Sequence, residues 1–237
     1  MILIFLLFLR TILCSEFFSY GLNNEFHFHS GVNISEGPIE LSQSIVFFNK
    51  IYVDIYIHSN GYISFNNMTI SDRNSIAIVP FLCQTNTSLG GIVSFREIFH
   101  DYKLSYFSKK IGNFTAKYGF IVTWYKVKSI DKKYSDGNTF QMVLLSNGIE
   151  TFTILNLYDI QWNDGQNFTS IIKNYDGVKV MFKNTSGIWI FRVDQDLQIV
   201  RYSRKKYKIK NFSAFVFGNF YLIIFLIKLN LIIFNKV

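Results

Sequence analysis

The run Ile51-Tyr52-Val53-Asp54-Ile55-Tyr56-Ile57-His58-Ser59-Asn60-Gly61-Tyr62-Ile63-Ser64-Phe65 alternates apolar and polar side chains and then turns. A period of two places Ile51, Val53, Ile55 and Ile57 on one face of a strand and Tyr52, Asp54, Tyr56 and His58 on the other. Asn60-Gly61 tolerates the positive φ of a tight turn, so Tyr62 to Phe65 reads as the returning strand of a hairpin. The same grammar recurs at Phe140 to Ser146, Asn147-Gly148 and Ile149 to Leu157. Further strands are expected at Ser75 to Phe81, Ile92 to Ile98, Tyr118 to Val127, Val178 to Phe182 and Ile188 to Val193. Gly90-Gly91, Asp136-Gly137, Asp164-Gly165 and Asp176-Gly177 fall between them as turns. Around ten short strands so spaced predict an all-β fold, an antiparallel β-sandwich or jelly-roll-like single domain.

Composition agrees, because 26 Phe and 14 Tyr suit half-buried pleated surfaces and only Pro38 and Pro80 interrupt them. The net charge of +8 is confined to the ends: Ser15 to Val200 carries 15 Lys and Arg against 16 Asp and Glu. A body so balanced lacks the overall footprint of a nucleic-acid binder. Residues 1–15 have the apolar core and small-residue exit of a secretory signal peptide, with cleavage expected after Cys14 or Ser15. Seven Asn-X-Ser/Thr sequons, at Asn33, Asn67, Asn86, Asn113, Asn167, Asn184 and Asn211, exceed the roughly three expected by chance and fit N-glycosylation on the secretory route. Loss of Cys14 with the signal peptide would leave Cys83 alone, which excludes an intrachain disulfide framework. Cys83 reads as a small buried hydrophobe beside Phe81 and Leu82, with an intermolecular bridge or a pairing with a further downstream module as the alternatives.

The chain divides into the signal peptide at 1–15, an irregular lead-in at 16–43, the β domain at 44–194, a basic linker at 195–211 and an apolar tail at 212–237. Within the tail, 15 of the 20 residues from Phe215 to Phe234 are Phe, Leu, Ile or Val. On an insertion scale these contribute about −4 to −9 kcal/mol against a cost of at most about 3 for Lys228, so residues 215–234 are expected to span a membrane as a helix. Orientation conflicts with charge, since a cleaved signal peptide would leave the cluster Arg201, Arg204, Lys205, Lys206, Lys208 and Lys210 outside. Three readings of the tail stand: an anchor held against the charge rule by the folded domain, an inverted anchor, or intron sequence translated in place of further modules.

Val46-Phe47-Phe48-Asn49-Lys50 precedes the hairpin Ile55 to Phe65. Val79-Pro80-Phe81 and Gly91-Ile92-Val93-Ser94-Phe95-Arg96-Glu97 follow, and then Val122-Thr123-Trp124. Asn138-Thr139-Phe140-Gln141-Met142-Val143-Leu144, Asn147-Gly148 and Tyr158-Asp159-Ile160-Gln161-Trp162 come next. Gly187-Ile188-Trp189-Ile190-Phe191-Arg192-Val193-Asp194 closes the pattern. In this order the landmarks resemble the NIDO family of nidogen and the tectorins, and Ile55 to Phe65 is similar to that family's opening hairpin. After Phe81, where family members commonly continue with Trp and an acidic stretch, this chain has Leu82-Cys83-Gln84-Thr85-Asn86, so no role of those acidic positions carries over. The resemblance implies cell–matrix adhesion or matrix assembly, outside the cell or at its surface. Extracellular matrix proteins, cell-surface proteins or glycans would be the partners, and no catalytic residue transfers.

The residues themselves point the same way. His27 and His29 could share a strand face, but two imidazoles without a Cys pair read as a polar face rather than a metal site. Asp159, Asp164 and Asp176 lie where turns require them, and Trp124, Trp162 and Trp189 sit in apolar strands as core. No nucleophile elbow, phosphate loop or Cys/His pair appears, so neither a catalytic residue nor a cofactor is assigned. The competing class is a secreted carbohydrate-binding or sugar-processing sandwich, which would need paired carboxylates about 5–10 Å apart. Expression in a secretory host should yield a product whose mobility shifts by several glycans on N-glycosidase treatment and whose amino terminus lies near residue 15. An unshifted product that retains Met1 contradicts the secretory reading.

Overall fold

In the computed structural model, residues 17–21, 25–100, 102–131, 135–162, 169–183 and 187–204 are described. The Ser59–Gly61 turn forms as its sequence dictates. Gly61 has φ +88°, and a Cβ there would lie 1.9 Å from Phe81 O, so only glycine fits. The turn joins β3 (Lys50–His58) to β4 (Tyr62–Ser64), and β5 (Ala77–Val79) pairs beyond β4. Asn147 closes the second hairpin by accepting from the amides of Ile149 and Glu150 at 3.0 and 2.8 Å, joining β8 (Asn138–Ser146) to β9 (Thr151–Asp159).

Around these hairpins lie β1 (Phe26–His27), β2 (Ser35–Phe47), β6 (Ile92–Ile98) and β7 (Tyr118–Val127). After them come β10 (Thr169–Asn174), β11 (Gly177–Lys183), β12 (Gly187–Arg192) and β13 (Gln198–Arg204). All pairings are antiparallel. Seven strands run in the order β1-β6-β7-β8-β9-β12-β13 and six in the order β11-β10-β5-β4-β3-β2. The sheets face each other as a β-sandwich. Their shared core includes Ile55, Ile57, Phe65, Trp124, Phe140, Trp162, Trp189 and Phe191, with Trp124 stacked on Phe140 at 4.9 Å.

Both outer faces are covered. Leu104 and Phe107 of helix α1 (Tyr102–Ile111), with Phe18, pack on Ile121, Val143, Ile154 and Ile190 of the seven-stranded sheet. Ile70, in the loop after β4, packs with Tyr62, Ala77, Val79 and Ile171 on the six-stranded one.

Three expectations change. The lead-in at 16–43 is not irregular throughout, because β2 begins at Ser35 and pairs with β3. The basic stretch after Val200 opens in β13, which pairs with β12. The single inward face of Ile51, Val53, Ile55 and Ile57 also fails: Ile55 and Ile57 are fully buried, but Ile51 and Val53 are 71% and 57% exposed. The cause is a bulge. Glu40 pairs with Asp54 and Ile45 with Tyr52, so residues 41–44 of β2 stand against Val53 alone. Inward parity on β3 therefore switches, and Tyr52 instead packs against Phe47 and Phe65.

Residues 1–16, holding the expected signal peptide, and 205–237, holding the expected span, lie outside the described residues. Among those described, no helix is long and apolar enough to cross a membrane. The register generates a paired test. Ile55→Asp forfeits about 2 kcal/mol of burial and adds an unpaired buried carboxylate, enough to consume most of a typical domain stability of about 5–15 kcal/mol. Val53→Asp, one pleat away, should shift the urea midpoint by no more than about 0.5 kcal/mol. Equal losses would show the register to be wrong.

Candidate functional site

Polar groups buried by a fold cost free energy unless bonded, and several here bond to one another or to the backbone. Gln141, fully buried on β8, reads a length of backbone: its Oε1 accepts from Phe18 N at 2.9 Å, and its Nε2 donates to Phe18 O at 3.1 Å and Thr123 Oγ1 at 2.8 Å. Arg96 on β6 and Glu25 form an ion pair at 3.5 Å with side chains 7% and 2% exposed. Ser94 Oγ and Gly21 N donate to the same Glu25 carboxylate at 2.8 and 2.9 Å. The segment Phe17–Glu25 is thus fastened across the seven-stranded sheet. Lys173 Nζ, on the other sheet, donates to Asp72 O at 2.6 Å and Ser75 Oγ at 2.8 Å and holds the covering loop. Glu97 accepts from Ser42 N at 2.8 Å, from Ser42 Oγ and from Tyr118 Oη at 2.6 Å, tying the β2 bulge to the opposite sheet. Ser94, Arg96, Glu97 and Gln141 stand in the sequence pattern only as landmarks, and the sequence assigns none of these groups a fastening role.

His58 and Ser64 come together with Nε2 and Oγ 2.9 Å apart, the arrangement that activates a nucleophile elsewhere. Here Ser64 is fully buried and donates to Asn66 O at 2.8 Å, while His58 stacks on Tyr62 at 4.0 Å. Burial lowers the His58 pKa to about 4, so the ring is neutral at physiological pH. A closed pair of this kind has no room for a substrate.

The residues chosen from the sequence separate. His27 and His29 are exposed, and among the described residues no three His, Cys, Asp or Glu side chains gather as a metal site. Trp124, Trp162 and Trp189 are buried, and the first two donate Nε1 to His58 O at 3.0 Å and Val127 O at 3.1 Å. Cys83 is buried, with Sγ 3.8 Å from Asn60 O. Asp159 ends β9 in one sheet and Asp176 sits in the β10–β11 turn of the other, at the opposite end of the sandwich; Asp164 lies outside the described residues. Of the sequons, Asn33, Asn67 and Asn113 are exposed and Asn86 is half-buried, capping a 3₁₀ turn by accepting from Ser88 N at 3.0 Å. Asn167, Asn184 and Asn211 lie outside the described residues.

A cleft of about 450 Å³ opens where β7 ends, with Lys126, Lys128, Asp136, Asp159 and Gln161 on its walls. Lys126 holds φ +48°, and a Cβ on Gly91 or Gly137 would come within 2.4 or 2.1 Å of its carbonyl oxygen. The glycines thus let three segments meet. Two lysines balance two carboxylates. Gln161 Nε2 donates to Asp159, and Lys128 Nζ to Ser135 O.

In class the protein is an antiparallel two-sheet β-sandwich whose buried polar groups fasten its own segments. Comparison with known proteins makes the class specific. The nidogen-like domain (NIDO) family matches residues 53–181, and the chain belongs to that family. Alpha-tectorin of Gallus gallus and of Homo sapiens are each 30% identical to it over 148 residues, and that of Mus musculus is 32% identical over 149. Each alignment covers 55% of this chain and 7% of the relative, so the chain spans a small part of those proteins. No solved structure matches.

The neutral His58 generates a pH signature. Its pKa is lowered in the folded state, so between about pH 6.5 and 4 the unfolded chain binds a proton that the folded chain refuses. The associated stability is full above pH 6.5 and is lost on descent through pH 4, by about 3 kcal/mol. Urea midpoints from pH 7.5 to 4 should fall more steeply for the parent than for His58→Gln; parallel curves would refute the assignment.

Proposed function

We propose that this chain is an extracellular, matrix-interacting domain, secreted or held at the cell surface, that acts by binding proteins or glycans and not by catalysis. Membership of the nidogen-like family carries the reading, since its match extends from β3 into β11. The sequons support it. Asn33, Asn67 and Asn113 present their side chains on the surface, where glycans on a secreted protein would sit. The commitment of buried polar groups to structural bonds also favours recognition by surfaces over chemistry in a pocket. The sugar-processing alternative loses the pairing of Asp159 with Asp176, which lie in different sheets, and would have to rest on Asp136 and Asp159 of the cleft at the end of β7.

The test is to express the full chain in a secretory host, confirm folding by its cooperative unfolding, and offer it to immobilised matrix proteins and to cell surfaces. Saturable binding to at least one is expected. Folded protein that binds none overturns the reading.

A further inference from the structure

The near-neutral body conceals a polarised one. Between Tyr102 and Ile130 the chain carries six lysines and no Asp or Glu, while the 16 acidic residues all lie outside that stretch. Four of the lysines belong to α1 and the loop that follows it. Lys103 is buried, with its Nζ 5.7 Å from the Phe18 ring centroid, and serves the packing. Lys109, Lys110 and Lys117 reach the surface.

Spacing brings them into one ridge with exposed aromatics. Tyr102, Tyr106 and Lys110 recur at intervals of four and so share one face of α1. Tyr102 and Tyr106 are 77% and 41% exposed, and Lys110 Nζ lies 4.4 Å from the Tyr106 ring centroid. The return loop folds back on the last helical turn, where Ala116 N donates to Ser108 Oγ at 2.9 Å, so the chain neighbours of Lys117 and Lys109 are in contact. Lys109 and Lys117 make no ion pair among the described residues. Carboxylates on neighbouring strands are engaged elsewhere: Glu97 holds Ser42 and Tyr118, and Glu150 pairs with Arg192 at 3.1 Å.

Lysines near a helix C-terminus also complement its dipole, which accounts for Lys109 and Lys110 in part. It accounts neither for Lys117 nor for two phenols left in water. We infer that this ridge is a docking surface for a sulfated glycosaminoglycan chain, resting on the extracellular reading above. Repeating sulfates meet the three ammonium groups, and sugar faces lie on the two tyrosine rings. An anionic membrane is the poorer fit, because the negative surface potential belongs to the cytoplasmic leaflet and the ridge offers phenols rather than aliphatic side chains for insertion.

The test uses the full chain on immobilised heparin, before and after N-glycosidase treatment, because Asn113 borders the ridge. A background in which Arg201, Arg204, Lys205, Lys206, Lys208 and Lys210 are changed to Gln separates the ridge from the basic tail. In that background heparin should still retain the protein, and hyaluronan, which lacks sulfate, should not. Lys109→Gln, Lys110→Gln and Lys117→Gln together should lower the slope of log affinity against log salt by about 2, at about 0.7 per contact as for flexible polyanions. Tyr102→Ala with Tyr106→Ala should weaken binding several-fold at fixed salt. The inference is overturned if the triple variant elutes with its parent, if neutralising the tail removes all retention, or if phosphatidylserine vesicles bind as well as heparin. A parent chain that binds matrix proteins but ignores heparin defeats this inference alone. Heparin binding through the ridge without any matrix-protein binding leaves it standing and defeats the protein-binding reading.

Discussion

Four residues of β2 set against one of β3 is the mismatch on which the free edge of the six-stranded sheet depends. It reverses the inward face of β3 between Asp54 and Tyr52, bringing the Tyr52 ring to Phe47 and Phe65 and sending Ile51 and Val53 into water. A bulge of that size needs a support, and Glu97 supplies one by gripping Ser42 through both backbone and hydroxyl. Burial and the adjoining carboxylate raise the Tyr118 pKa, so its phenol stays a donor to the same group. The bulge thereby becomes the point at which one sheet is joined to the edge of the other. It also breaks the regular edge of β2, which blunts unwanted pairing with other strands.

The remaining buried polar groups follow the same economy. Gln141 substitutes its amide for a neighbouring strand and holds Phe18, Arg96 and Glu25 secure the segment that follows, and Lys173 fastens the loop over the other outer face. Their desolvation is offset because each has partners, and each would be costly to divert toward a ligand. At the surface, the polarity of charge along the chain says more than its sum.

Much of this architecture was legible because the signals were local. Asn60-Gly61 and Asn147-Gly148 marked both hairpins, and short runs of aromatic and β-branched residues between turns located β6, β7 and β12. The failures have physical causes. β2 was obscured by Glu36-Gly37-Pro38 and by a bulge, each of which breaks the period that defines a strand. Helix α1 shows helical spacing at Leu104, Phe107 and Ile111, but its ten residues are rich in aromatic and polar side chains and lie between strands. Gln141, Arg96 and Lys173 could not be read as fasteners, because their partners lie between 71 and 123 residues away or in backbone atoms that carry no sequence identity. The ridge on α1 was hidden by totalling the body's charge, which averages a basic stretch against an acidic remainder.

The family match and the folding unit do not share boundaries, and the pairing shows why. Residues 53–181 include most of β3 but exclude β2, its partner across the bulge, and include β9 but exclude β12, which completes its pairing. They also exclude Phe18 and Glu25, the residues that Gln141, Arg96 and Ser94 are buried to receive. A segment cut at those limits would leave two strands with an exposed edge and three polar side chains without their partners. Hydrogen bonds to the matched strands therefore reach back to Phe18 and forward into β12, and the recognisable sequence is the part of the sandwich whose signals are local.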